Sequence, residues 1–294
     1  MASVKDKFIV NGDNSCYLVN PEFISEGVTA KELDDYFDID DYKKSARVID
    51  VHHGRGATYL VQDKYKRRIV IRHYYRGGFI GRILEDKFLK FFKSSRRSFN
   101  EFELLITMKK MGLSIPKPIV ARMEKNFLFV RNDIIMLEIP GTKNLEEILS
   151  ERRLSDAEIL KVGDALGRLF KAGIYHSDLN ITNILFDGAN NVWIVDFDKC
   201  IQKTINKKQY NSMVERLNRS FEKIKSKRNN FNWTKDNWNK LDSAIKSSFE
   251  KDYWYFVDIR YKKEEQKKLT DYCSYHFKRS LVERSCFNFR VSLI

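Results

Sequence analysis

The chain has 294 residues, 43% hydrophobic and 32% charged, with four prolines; this balance excludes a disordered segment or a peptide-scale scaffold and suits one large domain or two lobes around a cleft. Cys16, Cys200, Cys273 and Cys286 form no C-x-x-C pair, which argues against a zinc ribbon or a dense disulfide framework and for free thiols in a reducing compartment. A net charge of +14 calls for an acidic partner, whether nucleic acid, an anionic membrane surface or a phosphorylated substrate.

In chain order, the opening Met-Ala-Ser-Val-Lys-Asp-Lys has no apolar core or cleavage site, and no later window reaches the ~20 apolar residues that span a bilayer. The protein is therefore expected in the cytoplasm, or bound to a membrane from that side. Residues 32–41 are acidic and read as the solvated face of an N-terminal helix. The β-rich runs 47–51, 58–62 and 68–72, with the glycine-bearing turn His53-Gly54-Arg55-Gly56, predict consecutive antiparallel strands. Ser98-Phe99-Asn100-Glu101 reads as a capping box opening a helix. Strand-like runs follow at 118–123, 127–131 and 134–138, until Pro140-Gly141 breaks the pattern. Ser155-Asp156-Ala157-Glu158 is a second capping box, ahead of a core-facing stripe of Ile159, Val162, Leu166, Leu169 and Phe170 that Gly173 ends. A further helical stretch covers 213–227, and basic patches fall at 64–68, 93–97 and 223–228. This order predicts an α+β protein: a strand-rich part with one helix over 1–140, a mainly helical part over 141–254, and a Lys-, Tyr- and Phe-rich tail over 255–294. For the tail an extra helix, a membrane-facing segment and a disordered end all stay open.

The strongest chemical signal is His176-x-Asp178-x-x-x-x-Asn183 followed by Asp196-Phe197-Asp198, with short apolar runs at 184–186 and 192–195 between them. A hairpin of those runs, turned at Asp187-Gly188-Ala189-Asn190-Asn191, would bring both polar clusters to one end. Phosphoryl transfer needs such a set: a carboxylate to orient the attacking hydroxyl and accept its proton, and oxygen ligands for Mg²⁺ on the ATP phosphates. Asp178 suits the first role, Asn183 and Asp196 the second, and His176 is expected to hold the loop by hydrogen bonds. Each piece alone arises readily by chance; their joint order and spacing does not. Gly54 and Gly56 sit where backbone amides would cover phosphates, although the third glycine of G-x-G-x-x-G is absent. Val70-Ile71-Arg72 occupies the place of V-A-I-K, putting an arginine where a lysine usually meets the phosphates. Helical geometry turns Glu101 to the apolar side with Phe102 and Glu103 to the polar side with Thr107 and Lys110, so Glu101 is the candidate partner of Arg72. The capping box claims the same carboxylate, and spacing leaves both roles open. Together these elements predict a protein-kinase-like two-lobed fold, with a small antiparallel-sheet N-lobe carrying one key helix and a mainly helical C-lobe.

A family resemblance rests on seven stretches. They are Gly-Arg-Gly-Ala-Thr-Tyr from Gly54, Arg-His-Tyr-Tyr-Arg-Gly-Gly from Arg72, Arg-Ser-Phe-Asn-Glu-Phe-Glu-Leu-Leu from Arg97 and Pro-Lys-Pro-Ile-Val-Ala-Arg from Pro116. His-Ser-Asp-Leu-Asn-Ile-Thr-Asn-Ile-Leu from His176, Val-Asp-Phe-Asp-Lys-Cys from Val195 and Leu-Asn-Arg-Ser-Phe-Glu-Lys from Leu217 complete the set. In these the chain resembles, over residues 47–254, the bacterial 3-deoxy-D-manno-octulosonic acid (Kdo) kinases, relatives of the lipopolysaccharide core heptose kinases. The resemblance implies transfer of the ATP γ-phosphate to the 4-hydroxyl of a Kdo sugar on a lipid A precursor, by a peripheral protein at the cytoplasmic face of the inner membrane. It matches Asp178 to the catalytic aspartate, and Asn183 and Asp196 to the metal positions. Arg76, followed by Gly77-Gly78, is a candidate grip on an acidic sugar or phosphate. Against a protein-kinase reading, Asp198 replaces the glycine of D-F-G and no A-P-E follows. Against a basic nucleic-acid-binding pseudokinase, Lys64-Tyr65-Lys66-Arg67-Arg68 is a lone short run in which cations and aromatics interleave; no nucleic acid is expected as partner.

Overall fold

A period of two in the hydrophobic pattern governs the first half of the molecule. The computed structural model describes residues 6–53, 57–74, 88–89, 96–125, 129–228 and 230–250. Met1–Ser248 form one unit and Phe249–Ile294 a second, and the fold that follows is that of the first. Gly54, Gly56, Arg76 and the 255–294 tail lie outside the described residues.

Strands β1 (Phe8–Asn11), β2 (Ser15–Val19), β3 (Val48–His53), β4 (Ala57–Gln62), β5 (Arg68–His73), β6 (Phe88–Leu89), β7 (Pro118–Lys125) and β8 (Phe129–Leu137) build one antiparallel sheet. Its order is β1-β2-β7-β8-β5-β4-β3, with β6 beside β8. Alternation along β5 sends Ile69 and Ile71 into a cluster with Tyr17, Val19, Val61, Val120 and Ile135 on one face. Two short helices, α1 (Ala30–Asp35) and α2 (Ile39–Lys44), contribute Leu33 and Tyr42 to that cluster, and the link between them contributes Tyr36 and Phe37. The acidic segment is thus not one solvated helix but the polar outside of two packed ones. Its acids also start them: Thr29 and Glu32 form a capping box, and Asp38 caps α2.

Two expectations about this half are corrected. The runs 127–131 and 134–138 belong to the single strand β8, because the polar pair that separates them is held inside. Asn132 is fully buried beside Ser98, and Asp133 takes His73 Nδ1 at 2.5 Å and Arg122 Nε at 3.0 Å. Burial alone would raise the Asp133 pKa, but those two partners hold it below the usual carboxylate range. Ser98 does not cap its helix. Helix α3 (Arg97–Lys110) starts after Arg96 with no side-chain cap, and the Ser98 hydroxyl instead lies 2.9 Å from Arg122 O and 3.0 Å from Asn132 Oδ1.

The second half contains α4 (Leu145–Glu151), α5 (Asp156–Lys171), α6 (Lys207–Lys225) and α7 (Lys235–Glu250). Short strands β9 (Lys143–Asn144), β10 (Ile174–Tyr175), β11 (Ile184–Phe186), β12 (Val192–Ile194) and β13 (Ile201–Gln202) lie between them. Helix α5 follows its pattern: the Ser155–Glu158 capping box forms, the five stripe residues are buried, and Gly173 leaves at φ +77°. Gly163 and Gly167 let α7 approach, since a Cβ on them would sit 2.3 Å from Ala244 Cβ and 2.4 Å from Ser248 Cβ. Helix α6 begins six residues before the apolar run that predicts it, because Asn206 and Gln209 form a capping box there. Among the described residues no helix is long and apolar enough to cross a membrane.

Candidate active site

The β11–β12 hairpin pairs Ile184 with Ile194 and Phe186 with Val192. Asp187 shapes its turn, accepting from Ala189 N at 3.0 Å, Asn191 N at 2.8 Å and Trp193 Nε1 at 2.9 Å. Residues 176–183 therefore enter, and residues 195–198 leave, at the hairpin's open end.

His176 joins these two segments. Its Nε2 lies 3.1 Å from Val195 O, and its Nδ1 lies 3.3 Å from Asp178 N. Burial lowers its pKa, so the ring is neutral, and the hydrogen-bond pattern assigns the proton to Nε2. With both nitrogens engaged and the ring packed against Phe197 at 5.2 Å between centroids, His176 is a staple for the loop. Asn183 Nδ2 donates to Asp178 O at 3.0 Å, and Asn180 Oδ1 accepts from Thr182 N at 2.9 Å in the 3-10 turn Ile181–Asn183. The Asp178 carboxylate itself is 63% exposed. It is rigid at its backbone and open at its oxygens.

Strand β5 and helix α3 supply the other wall. Glu101 is buried on the inward side of α3, paired with Arg72 and accepting from Tyr74 Oη at 2.5 Å. Arg72 also donates from Nη1 to Asp196 Oδ1 at 2.9 Å and from Nη2 to Tyr74 Oη at 3.1 Å. One guanidinium thus links the helix glutamate to the aspartate that follows the hairpin. Burial alone would lower the Arg72 pKa, yet Glu101, Tyr74 and Asp196 together carry it well above its ordinary value. Burial raises Glu101 against the pull of Arg72, and burial beside Glu101 raises Tyr74 so that its hydroxyl stays a donor. Asp196 adopts φ 63°, a left-handed conformation that costs energy for a non-glycine residue and persists where its surroundings hold it.

Three residues beyond those singled out from sequence belong to this constellation. Arg97 Nε donates to Asp198 Oδ1 at 2.9 Å, with Nη2 on the second oxygen, so Asp198 in the glycine position of D-F-G is bound back to α3. Arg97 lies one turn before Glu101, and i,i+4 spacing was the signal that could have found it. Tyr74 lies between two cations, with Arg72 at 4.9 Å and Arg97 at 5.1 Å from its ring centroid. Period two from Arg72 marks it in the sequence. Arg216 of α6 places Nη1 3.7 Å from Asp178 Oδ1, and no local spacing announces it. Glu103 faces away and pairs with Lys7. A cavity of about 430 Å³, lined among others by Lys117, Ile139, Pro140 and Trp193, borders the turn of the hairpin at Asp187 and includes none of Arg72, Glu101, Asp178 and Asp196.

The arrangement fits a nucleotide and a divalent cation. Arg72 Nε is buried with no hydrogen-bond partner among the described residues, an orphan donor on the residue that faces Asp196. Among the described residues no cluster of three or more His, Cys, Asp or Glu could hold a metal alone. Mg²⁺ commonly takes one or two carboxylates and completes its shell from substrate phosphates and water. Asp196, 41% exposed, and Asn183 would be the protein's share.

An antiparallel sheet with its arginine–glutamate pair, joined to a helical half whose Asp178 loop and Asp196 turn share one hairpin end, defines a phosphotransferase of the protein-kinase-like fold. Residues 41–244 match the model of the lipopolysaccharide kinase (Kdo/WaaP) family, and the chain belongs to that family. A 3-deoxy-D-manno-octulosonic acid kinase of Vibrio parahaemolyticus is 36% identical over 211 residues, covering 71% of this chain and 84% of the relative. One of Vibrio cholerae is 37% identical over 194 residues, 66% and 81% of the two chains. One of Haemophilus influenzae is 34% identical over 239 residues, 79% and 96%.

Proposed function

We propose that this kinase transfers the γ-phosphate of ATP to the 4-hydroxyl of a Kdo residue on a lipid A precursor, acting peripherally at the cytoplasmic face of the inner membrane. The observation that carries this reading is the exposed Asp178 carboxylate, its backbone pinned by His176 and Asn183, at the hairpin end it shares with Asp196, the partner of Arg72. The names of the relatives support Kdo as the acceptor sugar. In this role Asp178 receives the acceptor hydroxyl and holds its proton at a carboxylate oxygen, His176 keeps the loop in place, and Arg72 presents Nε to phosphate. Asn183 and Asp196 would hold Mg²⁺, which when bound would supply positive charge to offset the negative charge of the phosphates. The +14 charge suits both an acidic lipid head group and an anionic leaflet.

Labelled ATP offered with Kdo-lipid A precursor, heptosylated core and a generic protein acceptor tests the assignment. Label is expected in the first alone, and Asp178→Ala should lower transfer by about 10²–10⁴-fold while leaving the melting curve in place. Full turnover by Asp178→Ala, or preference for another acceptor, would refute it. Membrane attachment predicts co-sedimentation with anionic liposomes that weakens as salt rises; no binding at low salt contradicts it.

A further inference from the structure

Helix α6 runs past the catalytic loop and meets it through Met213, Arg216 and Ser220, with Leu217 and Phe221 following at helical spacing on its buried side. Four of the five have structural employment. Met213 Sδ accepts from His176 N at 3.3 Å, and Ser220 Oγ accepts from Ile181 N at 3.0 Å while donating to Leu217 O at 2.6 Å. Leu217 and Phe221 are fully buried. Arg216 is the exception. Its side chain is 43% exposed and its ionic partner among the described residues is Asp178, at 3.7 Å, beyond hydrogen-bonding range. An exposed pair at that distance adds little stability, so folding gives no reason for a cation there. Its neighbour Arg219 differs, reaching Glu215 on its own helix. The contacts of Met213 and Ser220 fix where Arg216 stands relative to Asp178.

We propose that Arg216 binds the carboxylate of the acceptor sugar acid while Asp178 binds its hydroxyl. This rests on the Kdo acceptor assigned above. In the pyranose ring of a 3-deoxy-2-octulosonic acid the carboxylate on C2 and the hydroxyl on C4 are 1,3-related, with only the unsubstituted C3 between them. A guanidinium and a carboxylate set side by side therefore meet both groups of one ring, and arginine takes a carboxylate through two parallel N–H donors. A neutral sugar offers Arg216 nothing to bind. Arg216 is thus a specificity-determining residue that favours sugar acids over neutral sugars.

The test is steady-state kinetics of the full chain on Kdo-lipid A precursor and on the same acceptor with its carboxyl group reduced to an alcohol. Arg216→Ala should raise the acceptor KM about 10–100-fold with the ATP KM unchanged, and Arg216→Lys should recover part of the loss. Carboxyl reduction should weaken the wild type to the level of Arg216→Ala and weaken that variant no further. Arg219→Ala should behave as wild type, and the melting temperatures of all variants should agree. An acceptor KM for Arg216→Ala within twofold of wild type, or undiminished discrimination between the two acceptors, overturns the inference alone. A wild type that phosphorylates neither acceptor overturns the assigned function and this inference with it.

Discussion

Removing one oxygen atom, in Tyr74→Phe, tests whether the link between strand β5, helix α3 and Asp196 works as a unit. The Tyr74 ring is 3% exposed and stays in place between its two guanidiniums, so the substitution leaves packing intact. What disappears is a hydroxyl that donates to Glu101 Oε2 at 2.5 Å and accepts from Arg72 Nη2 at 3.1 Å. A hydrogen bond to a charged group contributes about 1.5–3 kcal/mol, and a buried carboxylate that loses a donor cannot turn to water instead. For a chain of this size each kcal/mol moves the melting temperature by roughly 2–4 °C, so a fall of about 3–12 °C is expected. Thermal unfolding followed by circular dichroism reads it. Glu101→Gln alone and combined with Tyr74→Phe completes a double-mutant cycle, in which the coupling should exceed about 1 kcal/mol because the hydroxyl acts through the carboxylate. A shift below 1 °C, or coupling below about 0.5 kcal/mol, would mean that Arg72 and Glu101 hold each other without Tyr74, and the three-residue account would fail.

Gly163→Ala and Gly167→Ala push a methyl group into α7, and each should cost about 1–3 kcal/mol in urea unfolding; a neutral result would mean the helices part freely. Asp198→Gly restores the kinase glycine but removes the carboxylate that binds Arg97, so the first turn of α3 should exchange its amide hydrogens faster and phosphate transfer should fall; unchanged exchange would remove Asp198 from the link. The Arg152 guanidinium and the Ser155 cap hold Glu158 at about 2, against ~4.3 for a free glutamate. Its folded pKa is depressed, so its contribution to stability is complete above pH ~4.3 and lost as pH falls toward 2. Wild type should exceed Glu158→Gln in stability at pH 6, with the gap closing on acidification; a gap independent of pH contradicts the assignment. Burial pushes the Cys200 thiol up to about 12, so native protein should resist alkylation at Cys200 until it unfolds, as peptide mass spectrometry can follow.

Local spacing made some of this molecule legible and not the rest. The hairpin that gathers His176, Asp178, Asn183 and Asp196 could be read because its strands are three residues each and its turn carries Asp-Gly and Asn-Asn. Helix α5 could be read because its capping box and stripe agree. Ser98 misled because the same serine–glutamate spacing serves a cross-sheet contact and an inward ion pair. Asn132 and Asp133 misled because a polar pair inside a strand looks like a break until Ser98, His73 and Arg122 arrive from elsewhere to satisfy it. The β1–β2 hairpin also carries a local signal, Asn11-Gly12 between apolar runs. Arg216 could not be read, because its distance from Asp178 depends on where a later helix returns.

The family match begins at residue 41, but folding does not respect that line. Strand β2 pairs with β7 from Ser15 opposite Glu124 to Val19 opposite Val120. The Tyr17 hydroxyl donates to Asp34 at 2.5 Å, and Arg122 spans from Asp34 to Asp133, the partner of His73, which adjoins Arg72 in the chain. A chain cut to the matched residues would leave β7 as a bare edge beside an uncovered apolar face, the template on which strands of separate molecules add to one another. The segment before residue 41 therefore covers that face and moves the sheet's edge from the eight-residue β7 to the four-residue β1.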